Sequence, residues 1–340
     1  MKSLLFITNG HGEDLVASEI IKLLPDDFTC TKHSLANTNL PSGGFSLRNF
    51  GFLAKDIKAG LIGKTLASVK VLKNFRGQFD LVVGVGDIVP IIGALMIKAP
   101  LVFVGVNKSS YYKTFGYGYT PWEKVLLRKY AQKVYVRDQK TEQNLKSWGI
   151  RVPKAEYVGN PLMDCVGEMT NDQIRMTNGG KTIIGFLPGT REDAKLNIED
   201  FEKIAEKLKA GLPDAQFLIA TKEESPALFQ KTPFADLLAH SQLVIGLSGT
   251  GNEQAAGLGK PVVSFYGRGS QYNKRFALAQ KELLGQALFL VPENNSQSVA
   301  TAALQLLKDP AARQKMGATG QERMGHAGAV EKIAEYLRAC

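Results

Sequence analysis

Short apolar runs alternate with longer, helix-spaced patterns from one end of the chain to the other. Residues 3–8, 81–85, 101–106 and 133–136 are apolar or β-branched, as strands buried on both faces of a parallel sheet are. Residues 14–24 and 88–97 carry helical spacing between them. A second series follows, with strand patterns at 182–187, 216–220, 243–246, 261–265 and 287–291. Its intervening helix patterns are 198–208, 252–258, 276–281 and 296–308. This alternation predicts α/β architecture with two doubly wound, Rossmann-like units, each a parallel sheet covered by helices on both faces. The units are expected at residues 1–163 and 164–326, joined near 159–168, with the polar stretch 170–180 leading into the second. The amphipathic end of the chain, 327–340, is expected as a helix packing back on the first unit. In such sheets ligands lie beyond the carboxyl ends of the strands, so two sheets facing each other make a central cleft.

Composition suits this plan. A chain of 340 residues, 44% hydrophobic and 22% charged, fits two globular domains. No apolar run approaches the roughly 20 residues that cross a bilayer, and Leu4-Leu5-Phe6-Ile7 is too short for a signal-peptide core. Cys30, Cys165 and Cys340 are odd in number and lack metal-ligand spacing; they read as reduced thiols, and a cytoplasmic location is expected. The net charge of +10 is uneven: residues 1–163 hold 22 Lys/Arg against 12 Asp/Glu, the remainder 20 against 20. A basic face suits an acidic substrate or anionic lipid. Zinc-finger spacing and aromatic-basic motifs are missing, so nucleic acid is not expected as a partner.

Four loops carry candidate chemistry. In LVIGLSGTGNEQAAGLGKPVVSF, residues 243–265, a strand ends at Gly246 and a helix is expected from about Asn252. Glycines let a ligand approach the backbone, and the N–H groups and dipole of a helix start favour an anion. Ser248 and Thr250 add hydroxyls, so a diphosphate suits the loop without a metal; a tight turn with a good N-cap would show the same residues. The segment Leu187-Pro188-Gly189-Thr190-Arg191-Glu192 offers Arg191 as a fork of donors for a phosphate, or as a surface arginine. Asn9-Gly10-His11-Gly12-Glu13-Asp14 places His11, a candidate base or donor, between two glycines. Glu13 and Asp14 complement the helix start. Val82-Val83-Gly84-Val85-Gly86-Asp87 ends a buried strand on a carboxylate, which fits either a general base or an N-cap. Two further stretches fit an apolar partner: the basic amphipathic residues 45–75 suit an anionic membrane surface or ordinary inward packing. The aromatic residues 111–122 suit an adaptable loop over an acceptor or a self-packed Ω-loop.

Together NGHGED, VGVGD, YVGNPLMD, FLPGTRE and SGTGNEQ resemble, in this order, lipid-A-disaccharide synthases and their relatives, over roughly residues 1–308. Those are inverting GT-B glycosyltransferases using a UDP-linked acylated glucosamine at the inner face of a membrane. The stretch SGTGNEQAAGLGKPVV is also similar to UDP-N-acetylglucosamine 2-epimerases, which share that architecture. The resemblance implies a GT-B fold and metal-independent, inverting transfer of a glucosamine-type sugar from a UDP-sugar to a lipid or glycolipid acceptor. No cofactor is implied, and the protein would be peripheral on the inner face of the cytoplasmic membrane. The alternatives are a 2-epimerase-like enzyme and a non-catalytic nucleotide-sugar binder. Asp87 matches the family's strand-tip aspartate, with His11 the second catalytic candidate. Arg191, Ser248, Gly249, Thr250, Gly251, Asn252, Glu253 and Gln254 are the expected diphosphate and nucleotide contacts. Asn9, Gly10, Gly12, Gln271 and Asn273 are expected to touch substrate, with Lys274 in the same region. The chain departs from the family in having His11 inside its first loop. It also has Gln254 where the family has an acidic residue for the ribose, with Glu253 one place earlier and about 100° round a helix.

Overall fold

The computed structural model describes residues 1–35, 70–114, 116–151, 154–167, 181–190 and 192–340. Most of the basic stretch 45–75, the polar stretch 170–180 and Arg191 lie outside them. The chain divides into two compact units, Met1–Cys165 with Ala327–Cys340, and Val166–His326.

Unit 1 contains a wholly parallel sheet built from β1 (Lys2–Thr8), β2 (Phe28–Ser34), β3 (Leu81–Val85), β4 (Leu101–Gly105), β5 (Ala131–Val136) and β6 (Ala155–Glu156). Their order is β2-β1-β3-β4-β5-β6, so the direction of winding reverses between β1 and β3. Its helices are α1 (His11–Lys22), α2 (Ile88–Ile97), α3 (Pro121–Tyr130) and α4 (Gln139–Ser147). Successive residues of a strand face opposite sides of its sheet. Leu5 and Ile7 accordingly pack with Val82, Ile91, Phe103 and Leu127, whereas Leu4 and Phe6 pack with Val16, Ile20 and Val83.

That second layer is completed by the last helix of the chain. Val330, Ile333 and Leu337, spaced to share one helix face, enter the same cluster as Leu4 and Phe6. The start of this helix (Ala329–Ala339) is held by Asp164. Its carboxylate accepts the Gly328 N–H through Oδ1 and the Val330 N–H through Oδ2, the latter at 3.0 Å.

Unit 2 repeats the plan with β7 (Ile183–Leu187), β8 (Gln216–Ile219), β9 (Gln230–Lys231), β10 (Leu243–Gly246), β11 (Val262–Phe265) and β12 (Leu288–Val291). They are all parallel, in the order β12-β11-β10-β7-β8-β9, and the reversal falls between β10 and β7. Helices α5 (Ala194–Gly211), α6 (Phe234–His240), α7 (Gly249–Gly257), α8 (Lys274–Leu284), α9 (Ser296–Lys308) and α10 (Pro310–Met324) surround it. The terminal helix of unit 1 is thus α11. One layer of the core is aromatic: Phe186 makes edge contacts with Phe201, Phe217 and Phe229 at 5.3, 5.8 and 5.0 Å between centroids.

Several elements lack an apolar signature, for physical reasons. β2 is an edge strand with no fully buried residue, four half-buried and three exposed. In α4 only Thr141 and Leu145 are buried. The face α10 buries is Met316, Gly317, Gly320 and Met324, where closeness of backbone replaces side-chain bulk. The aromatic residues 111–122 are not one loop, because α3 begins at Pro121 under a Thr120–Glu123 capping box. Before it, Lys108 Nζ donates to Gly116 O and Gly118 O while pairing with the buried Glu123 at 2.9 Å. Lys108, which precedes the stretch, thus ties its backbone to the start of α3. Among the described residues no helix is long and apolar enough to cross a membrane.

A Cβ on Gly320 would sit 2.1 Å from the Ala256 carbonyl oxygen on α7. Alanine gains about 1 kcal/mol of helix propensity over glycine, but here the overlap is with backbone and wins. Gly320→Ala is expected to lower stability by about 1–3 kcal/mol in urea unfolding. An unchanged or higher midpoint would contradict this packing.

Candidate functional site

In each unit much of the chemistry flagged by the sequence collects at the carboxyl ends of the strands flanking the reversal, where two neighbouring loops part to opposite faces of the sheet. In unit 2 these are the loops after β7 and β10. They touch: the Leu247 N–H donates to Leu187 O at 2.9 Å. Gly189, with φ +84°, lies against the Leu247 carbonyl. Asn197 of α5 fixes the first loop by donating from Nδ2 to Pro188 O at 2.9 Å.

The second loop runs straight into α7, which begins at Gly249 and not at Asn252 as the sequence pattern suggested. Ser248 is its N-cap, with Oγ accepting the Gly251 N–H at 3.2 Å. A helix start leaves its first N–H groups without an intrahelical acceptor. With Gly251 served by Ser248, those of Gly249 and Thr250 have no acceptor among the described residues. Ser248, Gly249 and Thr250 are half-buried, whereas Gly251 through Gly257 are buried. The surface that α7 offers a ligand is therefore three residues wide, with a positive dipole end behind it.

This corrects the expectation for Asn252. It is turned inward with no exposed surface, and its Nδ2 donates to Gly246 O at 3.1 Å and Gln280 Oε1 at 2.9 Å. Glu253 and Gln254 are likewise buried within α7. On the loop after β11, the Gln271 N–H donates to Asp193 Oδ2 at 2.7 Å. Asn273, expected at a substrate, caps α8: Oδ1 accepts the Phe276 N–H at 3.1 Å and Nδ2 donates to Ser270 O at 2.8 Å. Between these two, Tyr272 reaches beneath the Ser248 loop, its hydroxyl in contact with Gln280 Oε1 and with Ser264 Oγ at 2.8 Å. Burial pushes the Tyr272 phenol well above its ordinary pKa, so it remains a protonated donor.

In unit 1 the reversal brings together the loops after β1 and β3. Asp87 sits at the end of the second with 9% exposure and is the N-cap of α2: Oδ1 accepts the Val89 N–H at 3.0 Å. Asn9 Nδ2 lies 3.5 Å from the same oxygen. His11 is exposed at the first position of α1, and Gly12 beside it is half-buried. The centre of the cluster is Glu13, which the sequence suggested only as a complement to the helix dipole. Its Oε2 accepts the Asn9 N–H at 2.6 Å, and its Oε1 accepts from Asn107 Nδ2 beyond β4. Gly10 and Gly86 lie against the same carboxylate; a Cβ on Gly86, whose φ is +128°, would come within 2.3 Å of it. Glu13 thus clamps the tips of three strands, including the one that carries Asp87.

No protein-family model matches the sequence, and no curated protein does either. Solved structures match along the whole chain. S. aureus MnaA, solved with UDP, superposes with a TM-score of 0.65 at 17% identity, over 99% of this chain and 96% of that one. The calicheamicin glycosyltransferase CalG4 gives 0.65 at 16% identity, over 100% and 98%. The UDP-GlcNAc 2-epimerase of Neisseria meningitidis, bound to UDP-GlcNAc, gives 0.60 at 17%, over 100% of both chains. The chain has the GT-B fold. Identities this low establish architecture alone. Within the GT-B fold, sequence reasoning missed Gln280, Tyr272 and Asn107. The first had a signal: a polar residue at a position of α8 whose neighbours one turn either way, Ala277 and Leu283, are buried.

Glu13→Ala should leave the Asn9 N–H and the Asn107 amide short of an acceptor, at about 1–3 kcal/mol for each. Glu13→Gln should cost less, since its oxygen still serves Asn9 and the Asn107 amide can rotate to accept. Chemical denaturation of both variants checks the order; equal losses would remove the clamp.

Proposed function

We propose that the chain is a UDP-sugar enzyme that breaks the bond between the anomeric carbon and UDP, with the diphosphate seated at Ser248, Gly249 and Thr250. The observation that carries this reading is the pair of N–H groups of Gly249 and Thr250, without an acceptor among the described residues and on the half-buried start of α7. It is supported by the fold shared with proteins solved with UDP and UDP-GlcNAc. Negative charge grows on the leaving phosphate as the C1–O bond breaks, and fixed donors at a helix start stabilise it without reorganising. The hydroxyls of Ser248 and Thr250 and the guanidinium of Arg191 belong to the same proposal.

The first reading is 2-epimerisation of UDP-N-acetylglucosamine, favoured by the likeness in structure to the UDP-GlcNAc 2-epimerase of Neisseria meningitidis. Loss of the C2 proton together with UDP leaves a double bond between C1 and C2; return of UDP to C1 and of a solvent proton to the other face of C2 gives the epimer. A carboxylate such as Asp87 or an imidazole such as His11 suits that proton transfer. The second reading is sugar transfer to a lipid or glycolipid at an anionic membrane surface. The ordered motifs that resemble lipid-A-disaccharide synthases favour it, together with the basic excess of residues 1–163.

Incubation with UDP-GlcNAc alone in heavy water separates the two. Epimerised sugar carrying deuterium at C2 is the expected product. UDP released only when anionic glycolipid vesicles are added would favour transfer. UDP should also stabilise the fold by about 2.7 kcal/mol at 100 times its dissociation constant; no thermal shift with UDP or UDP-GlcNAc would end both readings. Asp87→Asn keeps an oxygen for the Val89 N–H, so folding should hold while turnover falls about 100-fold or more. Wild-type turnover would remove Asp87 as the base.

A further inference from the structure

Gln280 lies on α8 with 1% exposure, far along the chain from the Ser248 loop, and every hydrogen-bonding atom of its amide is engaged there. Its Nε2 donates to Ser248 O at 3.1 Å and to Gly249 O at 2.9 Å. Its Oε1 accepts from Asn252 Nδ2 at 2.9 Å and from the Tyr272 hydroxyl. Asn252 and Ser264 tie this group on to Gly246 O at the end of β10, at 3.1 and 2.6 Å. The assignment of nitrogen and oxygen is fixed by the partners, because two carbonyls require donors and the Asn252 amide and a phenol supply them.

The two carbonyls are not arbitrary. A trans peptide is planar, and its C=O and N–H point in opposite directions. The peptide whose carbonyl is Ser248 O carries the N–H of Gly249; the peptide whose carbonyl is Gly249 O carries the N–H of Thr250. Gln280 therefore holds, from the interior, the two peptide planes whose N–H groups have no acceptor among the described residues. The remaining N–H of that turn, Gly251, is oriented by Ser248 instead. A hydrogen bond accepted at a carbonyl also polarises its peptide and strengthens the N–H as a donor. No charge is placed beneath the loop in doing so.

We propose that Gln280 is the positioning residue that aims and polarises the Gly249 and Thr250 N–H groups toward an anionic ligand. This rests on the diphosphate reading of the loop. Asn252 and Tyr272 keep the Gln280 amide in register, and their side-chain hydrogen bonds go to Gln280, Gly246, Ser264 and each other rather than to the two carbonyls that it holds.

The test uses the full-length protein labelled with 15N-glycine and 15N-threonine, as wild type, Gln280→Met and Tyr272→Phe. Without ligand, Gln280→Met should shift the amide resonances of both Gly249 and Thr250, whereas Tyr272→Phe, which leaves both donor bonds in place, should shift them less. By calorimetry Gln280→Met should weaken UDP about tenfold or more, the loss expected for donors misaligned on a charged acceptor. Uridine should bind it as it binds the wild type. Unmoved resonances, unchanged UDP affinity, or an equal loss for uridine and UDP would overturn the proposal. If Gln280→Met does not fold, Gln280→Glu replaces it: the side chain keeps its shape and its two accepted bonds while setting an oxygen against both carbonyls. A wild type that binds no UDP overturns the functional reading, and the resonance shifts then decide the geometry by themselves.

Discussion

A parallel sheet covered on both faces has no side on which to present polar chemistry. In β1, Leu4, Leu5, Phe6 and Ile7 are all without exposed surface, and β3, β4 and β7 are buried along their whole length. Function is thereby confined to the loops at the strand ends. It concentrates where the winding direction reverses, because there two adjacent loops leave toward opposite faces and open a crevice. Both units obey this constraint. The reversal between β1 and β3 gathers Asn9, Gly10, Glu13 and Asp87, and that between β10 and β7 gathers Pro188, Gly189 and Ser248 to Thr250.

The two crevices are held by different chemistry, with an electrostatic reason for the difference. In unit 1 a buried carboxylate, Glu13, lies in the first turn of α1, where the helix dipole favours negative charge, and its oxygens accept from the loops they clamp. In unit 2 the loop exposes N–H groups, and a carboxylate under it would oppose any anion they bind. A neutral amide, Gln280, takes that place and supplies donors to carbonyls and an acceptor to its neighbours with no net charge. The Glu13 carboxylate and the Gln280 amide each bond to several partners, which makes a buried polar group compatible with a stable core.

Much of the architecture was legible because apolar strands buried on both faces leave a strong local signal. The patterns at 81–85, 88–97, 243–246 and 296–308 coincide with β3, α2, β10 and α9. Elements stabilised by something other than apolar bulk were not visible: the half-polar edge strand β2, the sparsely buried α4, and α10, which packs through glycines. The start of α7 was misplaced because glycine is a poor helix former, and the Ser248 cap outweighs that preference once the loop is fixed at the strand end.

The sequence by itself determined the α/β class and placed its candidate groups, the loop at Ser248, Gly249 and Thr250 among them, at strand ends. These follow from spacing and residue type within a few positions of each other. Only the tertiary structure decided which of those residues face outward. Asn252 and Asn273 have the right chemistry for a ligand but meet nearer partners first. Glu13 lies in the NGHGED loop without a local sign of its reach, and Gln280 in no motif at all, yet both hold loop ends together. Their roles depend on bonds to residues distant in sequence, Asn107 for Glu13 and Ser248 and Gly249 for Gln280, which exist only once the sheets have brought the loop ends together.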